Sequence, residues 1–146
     1  MKPCYFFGFD IGSISINTVI IDSDDNIVHD QYDYCHGKPF EKLKEILESL
    51  EDTYSLEQFG QLSFTGTGGK LATELLGGTY VNEIVAQSSS VSRLYPQVRT
   101  IIEMGGEDSK LIFMDKLDND VSRLSNFELN SLCAAAIGKY RIQYAP

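Results

Sequence analysis

Two segments of the sequence place an acidic residue and glycines directly after an apolar, strand-like run. Residues Asp10–Ser15 read Asp-Ile-Gly-Ser-Ile-Ser, and residues Glu103–Asp108 read Glu-Met-Gly-Gly-Glu-Asp. A tight turn with outward backbone N–H groups can bind phosphate oxygens, and an acid at the strand end can hold the accompanying metal ion. Two matched turns of this kind are suited to holding a polyphosphate and its metal from both sides.

An ordinary pair of β-turns is the alternative interpretation. Glycine supplies the positive φ that many turns need, and aspartate often accepts hydrogen bonds from its own turn. Gly12 and Asp10 would then have only local roles. One turn by itself favours this ordinary interpretation, whereas repetition of the pattern favours the phosphate site.

The elements around the first turn predict a mixed sheet with helices on its faces. Apolar, β-branched and aromatic runs predict three consecutive strands, followed by alternating helices and strands. The predicted strands are Cys4–Phe9, Ile16–Ile21, Ile27–Tyr34, Leu62–Thr65 and Thr79–Val81, and the predicted helices begin at Pro39, Leu71 and Glu83. This order is typical of an α/β fold.

Residues Tyr95-Pro96-Gln97 indicate a boundary, after which a second meander repeats the first. Its strands are predicted at Val98–Met104, Lys110–Met114 and Val121–Phe127, with a final helix capped by Asn130. We therefore predict a first lobe of residues 1–97 and the beginning of a second lobe at residues 98–146.

The overall composition argues against several classes of protein. The 146 residues carry a net charge of −9, and acids spread along the chain disfavour sequence-independent nucleic-acid binding. No apolar run approaches the roughly 20 residues that span a bilayer. The first residues lack the pattern of a signal peptide, and three widely spaced cysteines do not form a disulfide framework. We expect a cytoplasmic protein that binds neither nucleic acid nor membrane.

Five stretches of the chain resemble, in order, the motifs of the BadF/BadG/BcrA/BcrD ATPases. This family, part of the actin/Hsp70/sugar-kinase superfamily, contains ATP-hydrolysing activators of 2-hydroxyacyl-CoA dehydratases and related benzoyl-CoA reductase subunits. Phe9–Ser13 and Glu103–Lys110, at the two acid–glycine turns, resemble its phosphate-1 and phosphate-2 motifs. The other stretches are Thr65–Lys70, similar to Thr-Gly-Tyr-Gly-Arg, Asn82–Gln87, similar to Asn-Glu-Ile-x-Ala-His, and Asn130–Ala135, similar to Asn-x-x-Cys-Ala-Ala.

The resemblance implies a role for each turn. In the family the first turn wraps the ATP phosphates, and its aspartate positions Mg²⁺ and water. The matching positions here are Asp10, Gly12, Ser13 and Ser15. The family lysine that often follows this turn is replaced by Asn17.

The second turn acts in the same way from the opposite lobe of the family's fold. The matching positions are Glu103, Gly105, Gly106 and Asp108. Glu103 stands where the family usually has aspartate. The predicted catalytic residues are therefore Asp10, Glu103 and Asp108.

The family's cysteine in the Cys-Ala-Ala segment binds a [4Fe–4S] cluster shared by two subunits of a homodimer. Cys133 occupies this position, which implies a cluster and a homodimer in the full-length protein. Such a cluster has four thiolate ligands, so each subunit supplies two. Cys4 and Cys35 do not match the second family cysteine, and Ala136-Ile137 replace the family's Gly-Thr. We therefore expect no cluster in these 146 residues alone.

The implied fold is an RNase H-like (actin-like ATPase) lobe with a mixed β-sheet and flanking helices, plus the start of a second similar lobe. The implied function is ATP hydrolysis, with ATP/ADP and Mg²⁺ as ligands, which drives electron transfer to a CoA-ester dehydratase or reductase. A sugar-kinase-type phosphotransferase and a non-catalytic regulatory module that retains the fold are the alternatives. We expect the chain to be a fragment of a longer protein and weakly active or inactive alone.

Overall fold

The structure is a computed structural model that describes residues 4–105, 108–116 and 122–130. The chain divides into two compact units, Met1–Asn82 and Glu83–Pro146. The strands of the first unit are β1 (Tyr5–Ile11), β2 (Ser15–Ile21), β3 (Ile27–Tyr34), β4 (Phe59–Thr65) and β5 (Thr79–Tyr80). They form a five-stranded sheet in the order β3-β2-β1-β4-β5. The first three strands are an antiparallel meander, and β4 lies parallel to both β1 and β5.

The core of the first unit lies on the face of the sheet to which alternate residues of β1 point. Helix α1 (Pro39–Glu51) packs on this core with a stripe of apolar residues at helical spacing, and proline is favourable in its first turn. Helix α2 (Gly69–Leu76) contributes Ala72. The buried members from β1 and α1 are Phe7, Phe9, Ile11, Leu43, Ile46 and Leu50. Burying each large side chain stabilises the fold by about 2 kcal/mol.

The second unit combines one helix and an antiparallel meander. Helix α3 spans Glu83–Leu94, and the strands are β6 (Thr100–Met104), β7 (Ser109–Lys116) and β8 (Ser122–Asn130). Their order in the sheet is β6-β7-β8. Ile84 of α3 packs with Ile112 and Met114 of β7 in a small separate core. Helix α3 therefore groups with the second sheet.

The structure confirms the mixed sheet with flanking helices and differs from the prediction in detail. The two units separate between Asn82 and Glu83 instead of near residue 97, because the apolar side of α3 packs on β7. Strand β4 begins at Phe59, three residues before the predicted start. Asn130 ends β8, and the predicted final helix lies outside the described residues. Within the described ranges, no helix has the length and apolar character needed to cross a membrane.

Candidate functional site

The first acid–glycine turn is the tip of the β1–β2 hairpin. Asp10 lies opposite Asn17 in this antiparallel pair. The Gly12 N–H donates to the Ser15 carbonyl oxygen at 3.0 Å and closes the turn. The Cys35 thiol donates to the Ser13 carbonyl oxygen at 3.2 Å, which ties the tip to the end of β3. The Gly12 N–H is therefore used within the turn, and the exposed tip at Ser13 is the part open to a ligand.

A glycine loop from β4 supports this turn from the neighbouring strand. The parallel pairing of β1 with β4 places Asp10 opposite Thr65, so the loops that follow the two strands meet at one edge of the sheet. The Gly68 N–H donates to the Ile11 carbonyl oxygen at 2.9 Å. Thr67 Oγ1 approaches the same oxygen at 3.4 Å. The loop is thus bonded directly to the first turn.

Gly66 brings the backbone of this loop close to the Asp10 carboxylate. Its φ is +82°, and a Cβ added to it would lie 2.6 Å from Asp10 Oδ1 and 2.5 Å from the Ile11 carbonyl oxygen. Such distances are well inside van der Waals contact, and a positive φ is readily adopted only by glycine. Gly66 therefore allows the half-buried Asp10 carboxylate to rest against the backbone of the loop.

The second acid–glycine turn has the same backbone plan at the tip of the β6–β7 hairpin. Glu103 lies opposite Lys110, and the Gly105 N–H donates to the Asp108 carbonyl oxygen at 2.9 Å. The predicted echo between the two turns is therefore present in both pairing and turn closure. Gly106, predicted as a nucleotide-binding residue, lies outside the described residues.

Lys110 is the centre of a charged cluster beside the second turn. Its Nζ lies 2.7 Å from Glu103 Oε2, 2.8 Å from Glu83 Oε2 and 3.0 Å from Asp108 Oδ1. Only 6% of the Lys110 side chain is exposed. Burial by itself would lower the pKa of Lys110, but hydrogen bonds to these carboxylates, first of all Glu103, raise it well above its ordinary value. Lys110 is therefore a cation at neutral pH in the folded protein.

The sequence placed Asp10, Gly12, Glu103 and Gly105 correctly at hairpin tips, but it assigned no supporting role to three further residues. These residues are Gly66, Glu83 and Lys110. Aligning the two hairpins would have revealed Lys110, because it lies opposite Glu103 as Asn17 lies opposite Asp10. Glu83 is the predicted start of a helix, and nothing local in the sequence links it to Lys110. Cys133, the predicted cluster ligand, lies outside the described residues.

The predicted Mg²⁺ has a chemically suitable donor at the first turn. Mg²⁺ prefers oxygen ligands and commonly binds through one or two carboxylates together with phosphate oxygens and water. The Asp10 carboxylate fits this requirement. Within the described ranges, no three His, Cys, Asp or Glu side chains are arranged to hold a metal by themselves.

Comparison with known proteins identifies the family. Residues 7–144 match the BadF/BadG/BcrA/BcrD ATPase family. The chain belongs to this family. The matched range includes both acid–glycine turns, and the predicted resemblance is confirmed.

Two curated relatives are activators of dehydratases. The chain is 31% identical over 138 residues to the 2-hydroxyisocaproyl-CoA dehydratase activator of Clostridioides difficile. It is 26% identical over 138 residues to the (R)-2-hydroxyglutaryl-CoA dehydratase activating ATPase of Acidaminococcus fermentans. These alignments cover 93% of this chain and 49% and 50% of the relatives. The chain thus spans about half the length of the curated relatives it matches.

A solved structure supports the fold assignment. It is the activator of the 2-hydroxyisocaproyl-CoA dehydratase from Clostridium difficile with bound ADPNP, with a TM-score of 0.74 and 26% sequence identity. The superposition covers 97% of this chain and 53% of that one. The predicted actin-like ATPase fold of this family is confirmed.

Proposed function

We propose that the protein binds and hydrolyses ATP and thereby activates a 2-hydroxyacyl-CoA dehydratase or a benzoyl-CoA reductase-type enzyme by driving electron transfer to it. The observation that carries the proposal is the pair of acid–glycine turns with identical backbone closure, in a chain that belongs to an ATPase family. The activator relatives, one of them solved with ADPNP, support the nucleotide and the class of partner.

Phosphoryl transfer to water mainly requires that the reacting groups are positioned and that the charge of the phosphates is neutralised. In the proposal, the first turn contributes to both. In the proposal, N–H groups and hydroxyls around Ser13 and Ser15 bind phosphate oxygens. Asp10 holds Mg²⁺ and orients the attacking water. Bound Mg²⁺ would supply neutralisation of the negative charge that develops on the phosphates.

The second turn contributes Glu103 and Asp108 as further acids. Because three carboxylates surround one ammonium, the cluster keeps a surplus of negative charge near the Gly105 backbone. A Mg²⁺–nucleotide complex, or the water that attacks it, is a suitable partner for such carboxylates.

Asp10→Asn in the full-length protein tests the proposal through the rate of phosphate release from ATP. We expect a loss of about 100-fold, the magnitude typical of removing one electrostatic contact to the transition state. Asp22→Asn is the matched control, because Asp22 lies in an exposed turn of the same unit and accepts hydrogen bonds only within that turn. Unchanged release in Asp10→Asn would contradict the ATPase assignment. Absence of release from the wild-type protein would favour the non-catalytic regulatory alternative.

The finer parts of the proposal concern an iron–sulfur cluster, a homodimer and the cellular location. We propose that Cys133 binds a [4Fe–4S] cluster shared by a homodimer and that the protein works in the cytoplasm. An iron and sulfide assay on anaerobically purified full-length protein, with Cys133→Ser for comparison, tests whether Cys133 binds the cluster. Equal iron content in the two proteins would contradict the role of Cys133.

A further inference from the structure

We propose that Lys110 is a positioning residue for the ATPase reaction. It fixes the carboxylates of Glu103 and Asp108 beside the second turn, and Glu83 holds Lys110 in place. The inference rests on the proposed ATPase function and extends it to two residues outside the predicted site.

The number of hydrogen-bond donors on Lys110 matches the number of its carboxylate partners. An ammonium group has three N–H donors and no acceptor. Lys110 Nζ lies within 3.0 Å of one oxygen from each of Glu83, Glu103 and Asp108. All of its donors are therefore accounted for inside the protein. Lys110 acts on the reaction through the acids and does not itself contact a phosphate.

The three acids come from separate parts of the second unit. Glu83 is the first residue of α3, Glu103 lies on β6, and Asp108 lies in the turn just before β7. Lys110 is on β7, at the register position opposite Glu103. One buried ammonium thus links the helix start to both strands of the hairpin. The position of each acid relative to the others depends on this link.

Exposure differs between the cation and its partners. The Lys110 side chain is 6% exposed, whereas those of Glu103, Glu83 and Asp108 are 28%, 29% and 37% exposed. Lys110 bonds Oε2 of Glu103 and Oδ1 of Asp108, so the other oxygen of each carboxylate is not used by it. The cation fixes the acids from the protein side and leaves part of each carboxylate accessible to water, metal or phosphate-bound groups.

Removal of Lys110 would leave the acids without their common counter-charge. Carboxylates that share a small volume repel one another, so they either separate or take up protons. Either response changes the location or charge of Glu103 and Asp108. A loss of this kind impairs reactions that depend on placement, since a displacement of about 1 Å can cost about 100-fold in rate.

The test uses Lys110→Met, Lys110→Arg and Lys42→Met in the full-length protein. Methionine has a similar unbranched shape without the charge, and arginine keeps the charge with different donor geometry. Lys42 on α1 is the control, since it is a partly buried lysine of the first unit that pairs with Glu45. The values of kcat and KM for ATP are measured at a temperature where circular dichroism shows every variant folded.

We expect Lys110→Met to lower kcat by about 10- to 100-fold, with KM for ATP changed far less. Arginine should restore a substantial part of the rate, and Lys42→Met should retain the wild-type rate. A folded Lys110→Met protein with wild-type kcat would overturn the proposal, even if its thermal stability were reduced, because Lys110 would then be only structural.

Crystal structures of the wild type and Lys110→Met separate this inference from the ATPase assignment. Positioning requires that the Glu103 and Asp108 carboxylates move by about 1 Å or more in the variant. Unmoved carboxylates would overturn the inference whatever the activity. If the wild-type protein does not hydrolyse ATP, the proposed function fails, and the crystal structures still decide whether Lys110 fixes the acids.

Discussion

The two acid–glycine turns share their backbone plan but hold their acids in different ways. In both, the glycine after the acid donates its N–H to the carbonyl oxygen three residues later. In both, the acid faces a residue on the returning strand, Asn17 opposite Asp10 and Lys110 opposite Glu103. The residue opposite the acid is neutral in the first turn and cationic in the second.

This difference shows two solutions to one problem, the placement of a carboxylate at a hairpin tip. At the first turn, the backbone of a neighbouring loop can lie against an Asp10 oxygen because residue 66 is glycine. Glu103 is placed by charge, because Lys110 binds it from a buried position. The first turn depends on the absence of a side chain at Gly66, and the second turn depends on the side chain of Lys110. Adding a side chain at Gly66 should therefore disturb the first turn, whereas removing the charged side chain of Lys110 should disturb the second.

Gly66→Ala is expected to have the largest effect. The new Cβ would strain a backbone with φ of +82° and press on the Asp10 carboxylate and the Ile11 carbonyl. We expect a loss of stability on the order of 3 kcal/mol in urea unfolding, from backbone strain and overpacking together. Gly105→Ala should cost less than about 1 kcal/mol, because the atoms that its Cβ would meet among the described residues, first of all Glu103 Oε1, lie 3.3 Å away or farther.

Gly78→Ala is the control for backbone strain. Gly78 has φ of +96°, and its Cβ would lie 2.5 Å from the Leu62 carbonyl oxygen, away from Asp10. Both variants should lose stability, but only Gly66→Ala should weaken Mg²⁺-dependent nucleotide binding measured by calorimetry. Equal losses in the free energy of unfolding from Gly105→Ala and Gly66→Ala would contradict the proposed difference between the two turns.

Lys110→Met is expected to have the next largest effect on stability. Loss of the cation leaves three carboxylates without a partner, and we expect a cost of about 2 kcal/mol in the free energy of unfolding, limited by their partial exposure.

The pH dependence of this loss is a separate prediction. The pKa of Lys110 is raised on folding, so the contribution of Lys110 to stability is complete below the unfolded value of about 10.4 and is lost only as pH rises through the folded value. The difference in urea midpoint between wild type and Lys110→Met should therefore stay constant between about pH 7 and pH 9. A difference that shrinks across this range would mean that Lys110 is not held as a cation.

Asn17→Lys is expected to have the smallest effect. It gives the first turn the cation that the second turn has, at the register position opposite Asp10. A cross-strand pair of opposite charges typically stabilises by about 0.5 kcal/mol, which we expect as a small rise in the urea midpoint. The rise should fall in about 1 M salt, where exposed charges are screened. A loss of stability in low salt would show that the first turn has no room for a cation.

Local patterns predicted most of the architecture. Strand β3 and the start of α1 match the predicted residues, because alternation and a first-turn proline are strong local signals. The start of β4 was predicted too late, since Gly60 and Gln61 do not look like strand residues in isolation. Parallel pairing with β1 makes them part of the strand.

The sequence indicated those candidate residues that lie close together in one turn. It did not indicate contacts between residues that are distant in the sequence. Asp10 and Gly12 lie two positions apart in one recognisable turn. The contact between Gly66 and Asp10 exists only because β4 pairs with β1, and the contact between Glu83 and Lys110 only because α3 packs on β7. A single sequence records neither neighbour relation. The same limit explains the boundary placed near residue 97, since the packing of α3 decides where the units separate.

The parallel pairing of β1 with β4 also sets an order of events in folding. The β1–β2 hairpin joins neighbouring residues and can form within microseconds, whereas Asp10 meets Thr65 only after a long loop with its own helix has closed. Contacts across such separations form slowly and late. A partly folded chain would therefore already contain the first turn but not the contact between Gly66 and the Asp10 carboxylate. The carboxylate acquires its final position only when the whole first unit has folded.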